Sequence, residues 1–282
     1  MTCEMTGRSD ARAARRRRSC WVALAILQAG ATGALAQDVE DQQLESHGLA
    51  RPNVEGWQFT IGGGVGVGPK YEGSRSYGPV PVPFVSIAYD QRFSLSTEGL
   101  KANLLPSGNF KAGPLISYIG GRRESDDSAA LHGLGNIQPS LTAGAFASYE
   151  LRPFEISGTV RQAVIHTGNG FEAELAGSYG LKLSDRLGVK VGPEITFADD
   201  TYTKTFFGVT PAQSTRSGLH VFTPRGGVKD VGINLGGNYD LTDHWLLRGI
   251  ASIKELVGDA GSSPIVHSRT EVFAGFGIAY RF

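Results

Sequence analysis

Along most of this chain apolar side chains recur at every second position, a period that places them on one face of a strand and fits no helix. The clearest run sets Phe171, Ala173, Leu175, Gly177, Tyr179, Leu181 and Leu183 against Glu172, Glu174, Ala176, Ser178, Gly180 and Lys182. The same split recurs in Leu187, Val189, Val191, Ile195 and Phe197, in Val231, Ile233, Leu235, Tyr239 and Leu241, and in Trp57, Phe59, Ile61, Val65 and Val67. A soluble sandwich or barrel alternates in the same way with its greasy face turned inward. Length argues for a membrane strand instead, since segments of ten to thirteen residues exceed the usual run of about five or six in soluble sheets. Aromatics also stand near segment ends, at Trp57, Phe59, Tyr89, Phe93, Tyr149, Phe154, Phe171, Tyr179, Phe197, Tyr239, Trp245, Tyr280 and Phe282. Girdles at the two membrane interfaces would lie there.

Short polar turns at Asp90-Gln91, Arg152-Pro153, Ser184-Asp185-Arg186 and Thr242-Asp243-His244 force antiparallel neighbours. Longer connections rich in Gly, Ser, Asp and Pro run from Pro69 to Gly78, Gly121 to Gln138, Asp199 to Gly227 and Gly258 to His267. Eleven strands are evident, and bacterial barrels close with an even number. Splitting the third, near 92 to 105, at Glu98-Gly99 gives twelve and puts every long loop at one end; making Leu219 to Thr223 a strand would disturb that order. The reading is an all-β, transmembrane, antiparallel up-and-down barrel of 12 strands, with 10 as the alternative.

The longest uninterrupted apolar run, Cys20 to Leu27, is far short of the roughly 20 residues a spanning helix requires. It follows Arg12 and Arg15 to Arg18 and precedes Ala34-Leu35-Ala36, which reads as a secretory signal peptide over residues 1–36, cut between Ala36 and Gln37. Arg17-Arg18 completes a twin-arginine motif poorly, so general secretion is expected. Removing residues 1–36 takes six arginines, Glu4 and Asp10 from 27 basic and 27 acidic side chains, leaving 21 and 25 and a net charge of −4. Cys3 and Cys20 leave with it, so the remainder holds no disulfide framework. Balanced charge also argues against a nucleic-acid partner. Residues 37–55 read as a flexible periplasmic leader and 56–282 as the barrel.

The inferred inner face carries Glu172, Glu174, Lys182, Lys190, Glu194, Asp240, Arg248, Lys254, Glu271 and Arg281. On the lipid side a basic residue would cost roughly 2 to 4 kcal/mol near the midplane, so these groups face a wet or salt-bridged lumen. A bore of twelve strands is narrower than a porin's, and mixed charges would knit much of it shut. Gly62 to Gly68 lacks both dinucleotide and Gly-Lys-Ser/Thr spacing and reads as a small-residue strand against which the lumen packs. The histidines at 47, 132, 166, 220, 244 and 267 show no metal-ligand spacing. His267-Ser268 and Asp199-Asp200 are the only local candidates for a rim hydrolase, and no motif supports either. No catalytic residue, cofactor or metal site is expected.

Specific strings add a family. Pro69-Lys70-Tyr71-Glu72-Gly73-Ser74, Gly120-Gly121-Arg122-Arg123-Glu124-Ser125-Asp126, Ala198-Asp199-Asp200-Thr201-Tyr202, Ser263-Pro264-Ile265-Val266 and the closing Gly277-Ile278-Ala279-Tyr280-Arg281-Phe282 resemble, in order and spacing, the MipA/OmpV family of Gram-negative outer-membrane proteins, named for interaction with the lytic transglycosylase MltA. The resemblance implies a barrel in the outer membrane, in contact with lipid and lipopolysaccharide. It also implies a scaffold that joins murein lytic transglycosylase to a penicillin-binding protein during peptidoglycan growth. Tyr280 and Phe282 resemble the C-terminal signal read by the barrel-assembly machinery. The family offers no catalytic motif. The alternative function is a narrow channel for small polar solutes or antibiotics.

Overall fold

A computed structural model describes residues 56–90, 92–105 and 108–282. The signal peptide, its Ala36–Gln37 cleavage point and the 37–55 leader lie outside the described residues. The strands are β1 (Trp57–Pro69), β2 (Tyr77–Tyr89), β3 (Phe93–Ser96), β4 (Gly99–Ala102), β5 (Phe110–Ile119), β6 (Ser140–Leu151), β7 (Phe154–Ala163), β8 (Phe171–Lys182), β9 (Leu187–Ala198), β10 (Gly227–Asp240), β11 (Trp245–Leu256) and β12 (Thr270–Arg281). Each pairs with its sequence neighbour, and β1 closes on β12 from Thr60↔Arg281 to Val67↔Ala274. Twelve antiparallel strands thus form a closed barrel, and the third segment does break, at Thr97-Glu98, one residue before the expected Glu98-Gly99. Gly99, at φ +130°, occupies backbone space that a Cβ would strain.

The two faces fall as the alternation requires. Ile233 and Leu235 are 51% and 44% exposed, while Asn234 between them is 9% exposed. Outward apolar side chains in that arrangement need lipid, because in water they would form a patch no soluble monomer carries. Trp57, Tyr89, Phe93, Tyr149, Phe154, Tyr179, Tyr239, Trp245, Tyr280 and Phe282 ring the end with the short turns, where Trp57 stacks on Phe59 and Tyr280 meets Trp245 edge-on at 4.9 Å. Of the expected aromatics Phe171 and Phe197 stand at the long-loop end, where Tyr77 and Phe197 are 40% and 43% exposed, so the girdle is denser at the short-turn rim.

Those loops are folded. Between β9 and β10 lie α1 (Asp200–Phe207) and α2 (Pro211–Ser217), and α3 (Gly258–Gly261) follows β11. Asp199 caps α1 by accepting from the Tyr202 amide at 2.8 Å, and Thr210 caps α2 in a reciprocal box with Gln213. Leu219 to Thr223 is no barrel strand; Phe222 makes a single bridge to Val209.

Half of the lumen is apolar. Val80, Val82, Phe84, Leu246, Phe273 and Ala279 pack there against glycines of β1 and β12. A Cβ on Gly66 would stand 2.8 Å from the Phe273 ring, and one on Gly277 2.6 Å from the Phe84 ring, so only glycine lets these rings lie flat on the wall.

Candidate functional site

The other half of the lumen is ionic, and its centre is Lys229. Strict alternation with Val231 and Ile233 would turn Lys229 toward lipid. A β-bulge between Val228 and Asp230 adds one residue and turns Lys229 and Asp230 both inward. The Lys229 ammonium donates to Glu72 Oε1 at 2.7 Å, Glu172 Oε1 at 3.0 Å and Tyr202 Oη at 3.3 Å, and lies 3.4 Å from Asp230 Oδ2. Tyr202 donates in turn to Glu72 Oε2 at 3.0 Å. One wall lysine therefore ties together the loop after β1, helix α1 and strands β8 and β10.

Below it, Arg161 lies 3.8 Å from Glu172 and 3.6 Å from Glu174. Lys254 pairs with Glu194, which also accepts from Asn234 Nδ2, and Lys190 donates to Glu155 at 2.8 Å. Near the short-turn end Arg281 pairs with Asp240 at 3.3 Å. Arg248 lies over the Phe84 ring at 5.6 Å, where the ionic and apolar halves meet. Of the ten inner-face charges expected from sequence, all but Lys182 line this interior; Lys182 lies 3.2 Å from exposed Asp185 at the turn. Sequence reasoning missed Glu72, Arg161, Tyr202 and Lys229.

Cavities remain among the described residues, two of them in the bore. The upper, of about 60 Å³, is lined among others by Pro69, Tyr71, Glu72, Tyr118, Lys229 and Glu271. The lower, of about 140 Å³, is lined by Glu98, Lys101, Phe146, Glu155 and others, and Glu174 touches both. The loops close the top: Tyr71, Leu131, Leu134, Val209 and Ile265 form one buried cluster, and Tyr202, Phe206, Phe207, Leu256 and Ala260 belong to a second. Arg122 Nη1 donates to the Phe206 carbonyl at 2.6 Å and Arg216 Nε to that of Gly133 at 3.1 Å. Burial pushes the Tyr71 phenol up to about 12, the Asp127 carboxylate adding to it, and raises Tyr202 well above the ordinary tyrosine value, helped by the charges of Glu172 and Glu72. The cap is thus built on phenols that stay protonated.

The rim-hydrolase candidates have other work. His267 Nδ1 lies 3.2 Å from Tyr71 Oη, while Ser268 donates its hydroxyl to the Thr270 carbonyl at 2.8 Å. Asp199 caps α1, and Asp200 pairs with Lys204 at 2.9 Å. Among the described residues no group of three or more His, Cys, Asp or Glu is placed to hold a metal ion. At the C-terminus Tyr280 is packed on Trp245 and His244, and the Phe282 amide donates to the Phe59 carbonyl at 3.0 Å.

Residues 61–282 match the family described as MltA-interacting protein MipA. YiaT of Escherichia coli (strain K12), named as an outer membrane protein, is 20% identical over 157 residues. The match spans 56% of this chain and 63% of YiaT, under two thirds of that relative's length. Among solved structures, the N-terminal β-barrel domain of Pseudomonas aeruginosa OprF covers 62% of this chain at 13% identity and a TM-score of 0.23, with 98% of that domain matched. The CymD monoaromatic hydrocarbon channel covers 90% of this chain at 10% identity and a TM-score of 0.37, with 98% of CymD matched. Overlaps this loose say nothing of function.

Proposed function

The chain belongs to the MltA-interacting protein family MipA and is an outer-membrane β-barrel, and from that premise we propose that it works as a scaffold. In this reading it holds a murein lytic transglycosylase, together with a penicillin-binding protein, against the inner surface of the outer membrane. The observation that carries the reading is the filled bore. Loops pack over one end and buried ion pairs cross the middle, which leaves the short-turn rim as the face open to a protein partner. The short-turn rim offers exposed polar groups at Asp90, Arg152, Asp185, Arg186 and Asp243, and it would face the periplasm where those enzymes work. The same closure disfavours the channel, and the engaged Ser268 disfavours a hydrolase. The outer wall would contact lipid and lipopolysaccharide, with Tyr280 and Phe282 read by the barrel-assembly machinery.

The test is affinity capture of lytic transglycosylase by the detergent-solubilised protein, with an unrelated outer-membrane barrel as control. Enrichment lost on replacing the short-turn residues is the expected result. Equal recovery on both barrels would remove the scaffold reading.

A further inference from the structure

The barrel wall has a window. Strands β3 and β4 turn at Ser96 and Gly99, so among the described residues Tyr77 to Val85 of β2 pair with no strand on that side. Its sill is the Thr97-Glu98 turn, where Ser117 donates to the Glu98 carbonyl. Its lintel is the contact between Ser76 and the Asp127 carboxylate, which joins the loop after β1 to the loop after β5.

The edge of β2 is built to leave this window open. The Asp90 amide donates to the Gly56 carbonyl, which directs the backbone groups of even-numbered residues toward β1. The β1–β2 register runs one for one from Trp57↔Tyr89 to Pro69↔Tyr77. Odd-numbered residues therefore face the window, and these include Pro79, Pro81 and Pro83. A strand edge without N–H groups cannot template an added strand. The three proline rings are exposed on the lipid side.

The lining of the upper cavity includes residues that flank this gap, Pro69, Tyr71 and Glu72 after β1 and Tyr118 to Arg122 at the end of β5. At about 60 Å³ it holds roughly four or five waters, space for an ammonium group and its first methylenes and too little for a sugar or phosphodiester. Its lining carries five carboxylates, Glu72, Glu172, Glu174, Asp230 and Glu271, against Arg122, Arg161, Lys229 and Lys254, of which Lys254 is already paired with Glu194. Glu271 is 2% exposed and accepts a hydrogen bond from the Gly73 amide at 2.5 Å. Asp230, 3% exposed, has an Oδ1 that accepts no hydrogen bond. A buried carboxylate oxygen left over beside a cavity is completed by a donor cation.

We infer that this window admits the amine end of a single-chain amphiphile from the surrounding leaflet. The ammonium sits between Asp230 and Glu271, and the alkyl chain lies across Pro79, Pro81 and Pro83. Charge excludes the alkyl sulfate, an ether head has no donor to offer, and a sugar head is too large for about 60 Å³.

Because Cys3 and Cys20 are the only cysteines and both precede residue 37, a 37–282 protein takes single reporter cysteines. Bimane is attached at Pro81→Cys beside the window and, separately, at Val231→Cys on the lipid face elsewhere, and each protein is titrated with brominated dodecylamine in maltoside micelles. Quenching at 81 is expected to saturate at one ligand per chain, while quenching at 231 rises without saturation. Unlabelled dodecylamine displaces the ligand, and dodecyl sulfate does not. Glu271→Gln or Asp230→Asn, checked for folding by heat-shifted gel mobility, weakens the saturable component at least tenfold. Identical quenching at both positions, or displacement by dodecyl sulfate as readily as by dodecylamine, overturns the inference, and the reporter comparison alone decides it should the acidic variants fail to fold.

Discussion

Replacing Lys229 by methionine keeps a chain of similar length and removes one charge from the middle of four partners. The Lys229 side chain is 7% exposed, and those of Glu172 and Asp230 are 6% and 5% exposed. Removing one member of a buried ion pair costs about 3 to 5 kcal/mol, because the charge left behind has neither water nor a counter-ion. Here Glu172 keeps Arg161 at 3.8 Å, which offsets part of the loss, while Asp230 loses the ammonium 3.4 Å from its Oδ2; the expected destabilisation is therefore about 3 kcal/mol. The cap suffers as well, since Glu72 and Tyr202 lose their tie to the wall. The assay is urea unfolding in detergent, followed by the fluorescence of Trp57 and Trp245, together with tryptic cleavage at Arg216 and Arg225 in the β9–β10 loop. Lys204→Met is the control, because its pair with Asp200 at 2.9 Å is exposed on α1 and should leave both readouts unchanged. Adding Glu172→Gln to Lys229→Met should recover part of the loss by removing one orphaned carboxylate. A Lys229→Met protein within about 1 kcal/mol of the parent, with loops no more cleavable than in the control, would refute the latch.

The closure seam makes a sharper contrast between adjacent glycines. A Cβ on Gly64 would stand 2.1 Å from the Phe276 carbonyl oxygen, whereas one on Gly63 has its nearest neighbour at 4.0 Å; Gly64→Ala should therefore abolish the heat-shifted gel mobility of a folded barrel and Gly63→Ala should preserve it. The cap should also loosen at high pH. Burial holds the Tyr71 phenol at about 12 against an unfolded value of about 10, so the folded state keeps that proton longer. The stabilisation is complete below the unfolded value and is lost as pH rises through the folded one, a window of about 10 to 12. Ultraviolet titration of the protein against its Tyr71→Phe variant should show the Tyr71 tyrosinate appearing only above the ordinary tyrosine value of about 10, with tryptic cleavage of the β9–β10 loop rising in step; a Tyr71 signal at the ordinary value would contradict it.

The barrel was legible because its physics is local. Alternation alone assigns Ile233 outward and Asn234 inward, and the cost of a charge in lipid assigns Glu194 and Lys254 to the bore. Lys229 was hidden by a single inserted residue, and the clue was energetic: a lysine in the lipid register beside Val231 is too costly to stand. The helix starts were written in Asp199 and in Thr210-Pro211-Ala212-Gln213, but inside a loop of that length no period announces them. The alternate prolines 79, 81 and 83 carried an edge signal whose meaning depends on β3 and β4 being four residues long. The cap could not be read at all. Tyr71 and Ile265 are 194 residues apart and meet only because the barrel brings their loops together.

The two halves of the lumen close it by different means, and the difference bears on what the molecule can do. On the β1, β2 and β12 side, Phe84 and Phe273 lie on glycine backbone with no gap to widen, and opening there would expose ring surface at about 25 cal/mol per Å². On the β7 to β11 side the seal is electrostatic, and Glu194 with its side chain wholly buried holds Lys254 and Asn234 together. An ion entering that layer would have to part a pair that water cannot reach. The loops over the top and the unpaired edge of β2 are joined through Glu72 and the Ser76–Asp127 contact. A ligand held at Asp230 and Glu271 would press on the same network that latches the cap through Lys229, so occupancy of the wall and the state of the loops are linked through one side chain.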